Sequence, residues 1–150
     1  MPLPFPTIIP GLRGPSDQVQ GLVYFGRMLD KIRLQAAGKL PEGWQEQLGA
    51  AAKGSFDWRC CEFLKISYTS LVSETLKGRS DEELLAWAYA NGRRPSDLEI
   101  EVWNAFMTKR GWRDAGTKRL HERLAEIGLP PDAAQTIFEY IDIDEGRIAK

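Results

Sequence analysis

Apolar residues recur at helical spacing along most of the chain. From about Asp17 to Ala37, Leu22, Phe25, Met28, Leu29, Ile32 and Ala36 fall on one face, and Gly38 is placed to end a first long helix. Its other side carries Tyr24, Arg27, Asp30, Lys31 and Arg33. The three-residue steps from Arg27 to Asp30 and from Asp30 to Arg33 predict ion pairs within that helix. Residues 97–110 show a broader pattern. On a wheel of about 100° per residue, Leu98, Ile100, Val102, Trp103, Ala105, Phe106 and Met107 cover an arc of roughly 220°, leaving a narrow polar strip of Asp97, Glu101, Asn104 and Thr108. An arc that wide predicts a central helix contacted from at least two sides, with its aromatics in the core.

The punctuation agrees with this helix. Ser96 and Glu99 form a capping box, Pro95 holds Arg94 out of helical geometry, Gly111 provides a left-handed exit, and Lys109 and Arg110 lie in the last turn, where exposed carbonyls favour positive charge. Ser80 and Glu83 repeat the box and open a helix to about Asn91 that buries Leu84, Leu85, Trp87 and Ala88. Short helices are expected over 57–64 and over 66–76, the latter with Tyr68, Leu71, Val72 and Leu76 on one side. A longer one over 117–127 presents Leu120, Leu124 and Ile127. A last helix is expected through Ile137, Phe138 and Ile141 with Asp132 as its cap, followed by a fraying tail from Asp142 onward.

Residues 39–56 are rich in glycine and alanine and read as a long connection with one helical turn at 44–48. Residues 1–15, with prolines at 2, 4, 6, 10 and 15, read as an extended Pro-rich arm that Phe5, Ile8 and Ile9 can pin to the body. No period-2 segment stands out. The expectation is an all-α fold: a single irregular multi-helix domain over 16–150, of about six to eight helices around the central helix 97–110, preceded by the arm 1–15.

Composition narrows function chiefly by exclusion. With 43% hydrophobic and 27% charged residues and a net charge of −1, the chain has no basic footprint for nucleic acid or anionic lipid. No run suits a signal peptide or a membrane span, which points to a cytoplasmic protein. The cysteines, Cys60 and Cys61, are adjacent and read as reduced, buried small residues at a helix turn. One histidine and two neighbouring cysteines fit no zinc spacing, Asp142, Asp144 and Glu145 read as a solvated acidic tail rather than a cation loop, and no phosphate-cradling glycine loop is present. No metal or cofactor is expected. His121 sits among Lys118, Arg119, Glu122 and Arg123 and reads as solvent-facing.

The candidate binding residues therefore cluster around the central helix. Arg93 and Arg94, beside the Ser96 cap, can hold a carboxylate or phosphate at the helix N-terminus. Arg110 and Arg113 flank Trp112 at the other end, separated from the first pair by roughly 20 Å at 1.5 Å per residue. The favoured alternative pairs Arg94, Arg110 and Arg113 internally with Asp81, Asp114 or the acidic tail. Asn104 and Glu101 lie on the polar strip, which is plain surface unless another element covers it and makes a small polar pocket.

Several phrases carry a resemblance: Gly21-Leu-Val-Tyr24, Arg27-Met-Leu-Asp-Lys-Ile-Arg33, Cys61-Glu-Phe-Leu64, the run from Gly92 through Trp103-Asn104 to Lys109-Arg-Gly-Trp-Arg-Asp114, and Asp142-Ile-Asp-Glu-Gly-Arg147. Together, over roughly residues 15–147, the chain resembles a family of small bacterial proteins catalogued as a domain of unknown function. The resemblance implies a single domain and a bacterial cytosolic setting, and it brings no catalytic residue. The functional expectation is a non-catalytic module that binds a protein partner or a small anionic metabolite. Its rival is a metal-independent enzyme using Asp30, Glu62 or Glu101 with Arg or Tyr partners, and a homodimer through residues 39–56 is a third possibility.

Overall fold

Before the first helix begins, the chain makes a hairpin. In the computed structural model, which describes residues 5–49 and 52–149, β1 (Gln18–Val19) pairs antiparallel with β2 (Leu22–Val23). Gln20 and Gly21 between them both take positive φ, 46° and 85°. Two positive φ values in a two-residue loop match the right-handed twist of the flanking strands. The expected helix start at Asp17 is thus corrected: glutamine is a weak turn signal, and Leu22 and Val23 fit a short strand as well as a helix face. Helix α1 runs from Phe25 to Ala36.

The remaining helices are α2 (Phe56–Leu64), α3 (Tyr68–Thr75), α4 (Asp81–Asn91), α5 (Asp97–Lys109), α6 (Thr117–Glu126) and α7 (Ile137–Asp144), with 3-10 turns at Trp44–Gln47 and Pro131–Ala133. Seven α-helices and one small hairpin among the described residues make the fold mostly helical, as the spacing of apolar positions indicated. Both capping boxes form, with Ser80 and Glu83 at α4 and Ser96 and Glu99 at α5 satisfying each other's backbone amides. Asp132 does not cap α7; it lies in the 3-10 turn, and Thr136 accepts from the Glu139 amide instead.

Helix α1, not α5, is the one surrounded on all sides. Every residue from Phe25 to Ile32 is buried, including Arg27, Asp30 and Lys31. The charges lie inside because each meets a partner from a distant segment. Arg27 forks onto Glu145, with Nη1 donating to Oε1 at 2.8 Å and Nη2 to Oε2 at 2.6 Å. Lys31 Nζ donates to Asp57 Oδ1 at 2.7 Å and to the Tyr24 hydroxyl at 3.0 Å, while Tyr24 itself donates to Asp57 Oδ1 at 2.5 Å and the Gly49 amide donates to Asp57 Oδ2. Asp30 takes Arg13 through Nε and Nη2, and Arg13 and Arg33 both reach Asp81 at the start of α4. Of the predicted intrahelical pairs, only Asp30 with Arg33 is made, at 3.6 Å.

The tail is likewise corrected. Asp142 to Asp144 belong to α7, and Glu145 is buried because Arg27 holds it. Along the arm, Ile9 and Leu12 pack with Leu34, Leu40 and Trp44, whereas Phe5 and Ile8 stay exposed; residues 1–4 lie outside the described residues, as do 50–51 in the connection and Lys150. The main core joins the hairpin, α1, α2, α3, α4, the inner face of α5 and Phe138. A smaller one joins α6 to α7 through Leu120, Leu124, Ala134 and Ile143.

Helix α5 packs only its Trp103 and Met107 side deeply. Leu98 is 66% exposed, Val102 60% and Phe106 39%, which corrects the expectation of a helix covered on two sides with all its aromatics inside. The broad apolar arc is real, but only one edge of it is buried.

A candidate anion groove between α2 and α5

Three local features build a groove along α2 and α5. The first is a close backbone approach: Gly92, between α4 and α5, lies so near the end of α2 that a Cβ there would stand 2.0 Å from the Leu64 carbonyl oxygen. Only glycine fits. This approach lets the Arg93 amide donate to that carbonyl at 2.9 Å and places the Arg93 guanidinium over Phe63, where Nε donates to the Phe63 carbonyl and Nη1 meets Glu99 at 2.7 Å.

The second is an aromatic wall. Phe63 and Trp103 stack at 4.6 Å between centroids, and the Trp103 indole N–H donates to the Val23 carbonyl, which fixes the ring from behind. Trp58 and Phe106 complete the lining of a groove of about 410 Å³, together with Arg59, Glu62, Lys65 and Arg93. That volume is within the range of small-molecule sites.

The third is Arg59. Its guanidinium lies 5.4 Å from the Phe106 centroid, and that of Arg110 lies 5.7 Å from the same ring. Arg59 Nε is tied to the Gly54 carbonyl, and among the described residues Arg59 makes no salt bridge. Partial burial and then the neighbouring Arg110 charge pull its pKa down from the usual value. Two cations share one ring, and the carboxylate whose charge reaches Arg59, Asp114, is held by Arg110 at 3.6 Å and by the Gly111 and Gly116 amides.

The sequence-derived candidates scatter around this groove. Arg93 lines it, and Arg110 reaches its rim through Phe106. Arg94 stacks on Tyr89, and Arg113 stacks on Trp112, itself half exposed. Ser96 has its hydroxyl engaged by the Glu99 amide. Glu101 is exposed. Asn104 accepts from the Val23 amide and donates to the Gly21 carbonyl, so the hairpin covers the polar strip at Asn104, whose amide is used in holding it, while Asp97 and Glu101 stay exposed. Internal pairing holds for Arg110 with Asp114 alone; Asp81 is taken by Arg13 and Arg33, and the acidic tail by Arg27 and Arg147. Trp58, Arg59, Phe63 and Lys65 were missed, although a basic residue within a run of aromatics on one short helix was the available signal.

A second groove, of about 520 Å³, lies across Trp58 and Glu62 from the first and is lined by Gly49, Cys61, Ile66, Tyr68 and their neighbours. Burial and then Asp57 push the Cys61 thiol up to about 12, and Cys60 is fully buried, so both remain protonated thiols near neutrality. Among the described residues no group of three or more His, Cys, Asp or Glu is arranged to hold a metal, and no helix is long and apolar enough to cross a membrane.

Residues 9–147 match the family described as a domain of unknown function, DUF5069. The chain belongs to this family. The match spans the arm from Ile9, all seven helices and the Arg147 contact to Leu12, so this DUF5069 chain carries both the groove and the buried ion pairs within the matched region. A comparison with curated proteins finds no match.

Proposed function

We propose that this DUF5069 chain is a recognition module whose α2–α5 groove binds a small organic anion, a flat apolar body bearing a carboxylate or phosphate. The observation that carries this reading is Arg59, a guanidinium stacked on Phe106 beside Arg110 with no carboxylate of its own. Asp114 lies near both guanidiniums but is engaged by Arg110 and by the Gly111 and Gly116 amides, so Arg59 keeps positive charge that no salt bridge matches, and arginine forks are suited to both carboxylate and phosphate. Trp58 offers a face for the apolar body beside the Phe63–Trp103 stack, and Lys65 and Arg93, the latter paired with Glu99, bring positive charge to a lining that also holds Glu62. The enzymatic rival has less support: of the carboxylates it would use, Asp30 is taken by Arg13, Glu101 is exposed, and Glu62 alone lines a groove.

The test is a thermal-shift screen with aromatic carboxylates and phosphate monoesters against the wild type, Arg59→Ala and Arg93→Ala. A ligand at a hundred times its Kd stabilises by about 2.7 kcal/mol, a shift on the order of 5 to 10 °C for a domain of this size. The shift should be strongly reduced in Arg59→Ala and should weaken with added salt. Equal shifts in all three proteins, or none in the wild type at millimolar ligand, would remove the groove from consideration.

A further inference from the structure

Among the described residues, half of the exposed large hydrophobics lie within one short stretch: Leu98, Val102, Phe106 and Trp112. On α5 the solvent face is ordered. Around the wheel at about 100° per residue, Leu98, Val102, Ala105 and Lys109 fall within an arc of roughly 60°, directed away from the buried Trp103 and Met107. Glu101 and Asp97 flank the N-terminal half of that face, and Lys109 closes its C-terminal end. Among the described residues, Asp97, Glu101 and Lys109 make no salt bridge.

We propose that α5 pairs with α5 of a second copy of this chain, antiparallel, across a two-fold axis near Val102 and Ala105. Under that symmetry the face is complementary to itself. Val102 of one chain meets the small Ala105 of the other, which permits the helix axes to approach to about 8–10 Å. Leu98 lies along the aliphatic stem of the other chain's Lys109, and that ammonium reaches the unpaired Asp97 and Glu101. The antiparallel direction also sets the positive end of each helix dipole beside the negative end of the other. An isologous contact is therefore available for charges that make no salt bridge within the chain. The α2–α5 groove opens on a different flank of α5, so this pairing does not depend on the ligand reading.

Sedimentation equilibrium over a concentration series from about 5 to 500 μM measures it by mass action. The expected result is a mass rising from 16.9 kDa toward twice that value. Val102→Glu should stay monomeric throughout. Glu101→Lys and Lys109→Glu should each weaken association by at least about tenfold, because each sets like charges against one another. The double variant, or an equimolar mixture of the two single variants, should recover it, since opposite charges then face each other across the axis once more. All three positions are solvent-facing, and matched circular dichroism and Tm for the variants establish that the fold is kept. A wild type that stays at 16.9 kDa to the highest concentration overturns the proposal. Self-association that is indifferent to Val102→Glu, or charge reversals that fail to rescue each other, overturn it equally.

Discussion

Arg27 illustrates how a charged side chain sits in the middle of this fold without a solvent path. Burial is the largest single influence on the Arg27 guanidinium and lowers its pKa, but the forked hydrogen bonds to Glu145 and the charges around it together outweigh that effect and raise it, so Arg27 stays charged inside the fold. Removing Glu145 leaves the Arg27 guanidinium buried with the Arg13 carbonyl as its remaining hydrogen-bond partner. Glu145→Ala should therefore destabilise by about 3–5 kcal/mol in urea unfolding, and Arg27→Met combined with Glu145→Leu should recover most of that loss because the uncompensated charge is gone. If Glu145→Ala proves near neutral, Arg27 has another route to solvent. Lys31 differs in sign: burial is the larger influence and holds its pKa below the usual value despite Asp57. Nothing in the order of residues distinguishes these buried charges from surface ones. The pattern Arg27-x-x-Asp30-Lys31-x-Arg33 reads as helix surface, and its partners Arg13, Asp57, Asp81 and Glu145 lie far away in the chain.

At the level of elements, what the chain states locally it states clearly. Both capping boxes, the glycine exits after α1, α5 and α6, and the apolar faces of α4 and α6 form where the spacing places them, because each depends on residues within one or two turns. The hairpin was hidden because its turn carries Gln20 in place of the usual asparagine or aspartate, and because its strands are held by a helix far along the chain. Asn104 provides that hold, filling the Val23 amide and the Gly21 carbonyl. Asn104→Ala should cost about 1–3 kcal/mol through the unsatisfied Val23 amide, and hydrogen exchange at Val23 should speed up more than exchange in α4. Uniform acceleration across the protein would mean that the hairpin and α5 do not form a separable unit. Helix α5 shows the limit of wheel analysis: a broad apolar arc specifies how much surface prefers to be covered, not whether this chain or another molecule covers it.

Across the whole molecule, the arm, α1 and α4 are tied at one point, where Arg13 and Arg33 converge on Asp81. Partial burial alone would raise the Asp81 pKa, but the two arginine hydrogen bonds prevail and hold it below 3.8. A carboxylate with a depressed folded-state pKa contributes stability that is complete above its ordinary value and disappears as pH falls through the folded one. The Tm difference between the wild type and Asp81→Asn should accordingly be constant from pH 7 to about 5 and shrink below pH 3.8. A difference that persists undiminished at about pH 2 would show that the contribution is not ionic.

The same scale decides function, because the groove exists only where α2, the glycine-tight link at Gly92 and α5 meet. Arg93 was visible in the sequence as a candidate, while Arg59 offered only its place among aromatics on a short helix, since its significance comes from sharing the Phe106 ring with Arg110. The most direct measurement follows the arginine Nε–Hε resonances of the protein by NMR during titration with a flat aromatic carboxylate such as naphthoate. Saturable shifts at Arg59 and Arg93, with the Trp58 indole N–H moving at the same ligand concentration and Arg147 unmoved, are the predicted result. Stationary Arg59 and Arg93 resonances throughout the titration would contradict the anion groove.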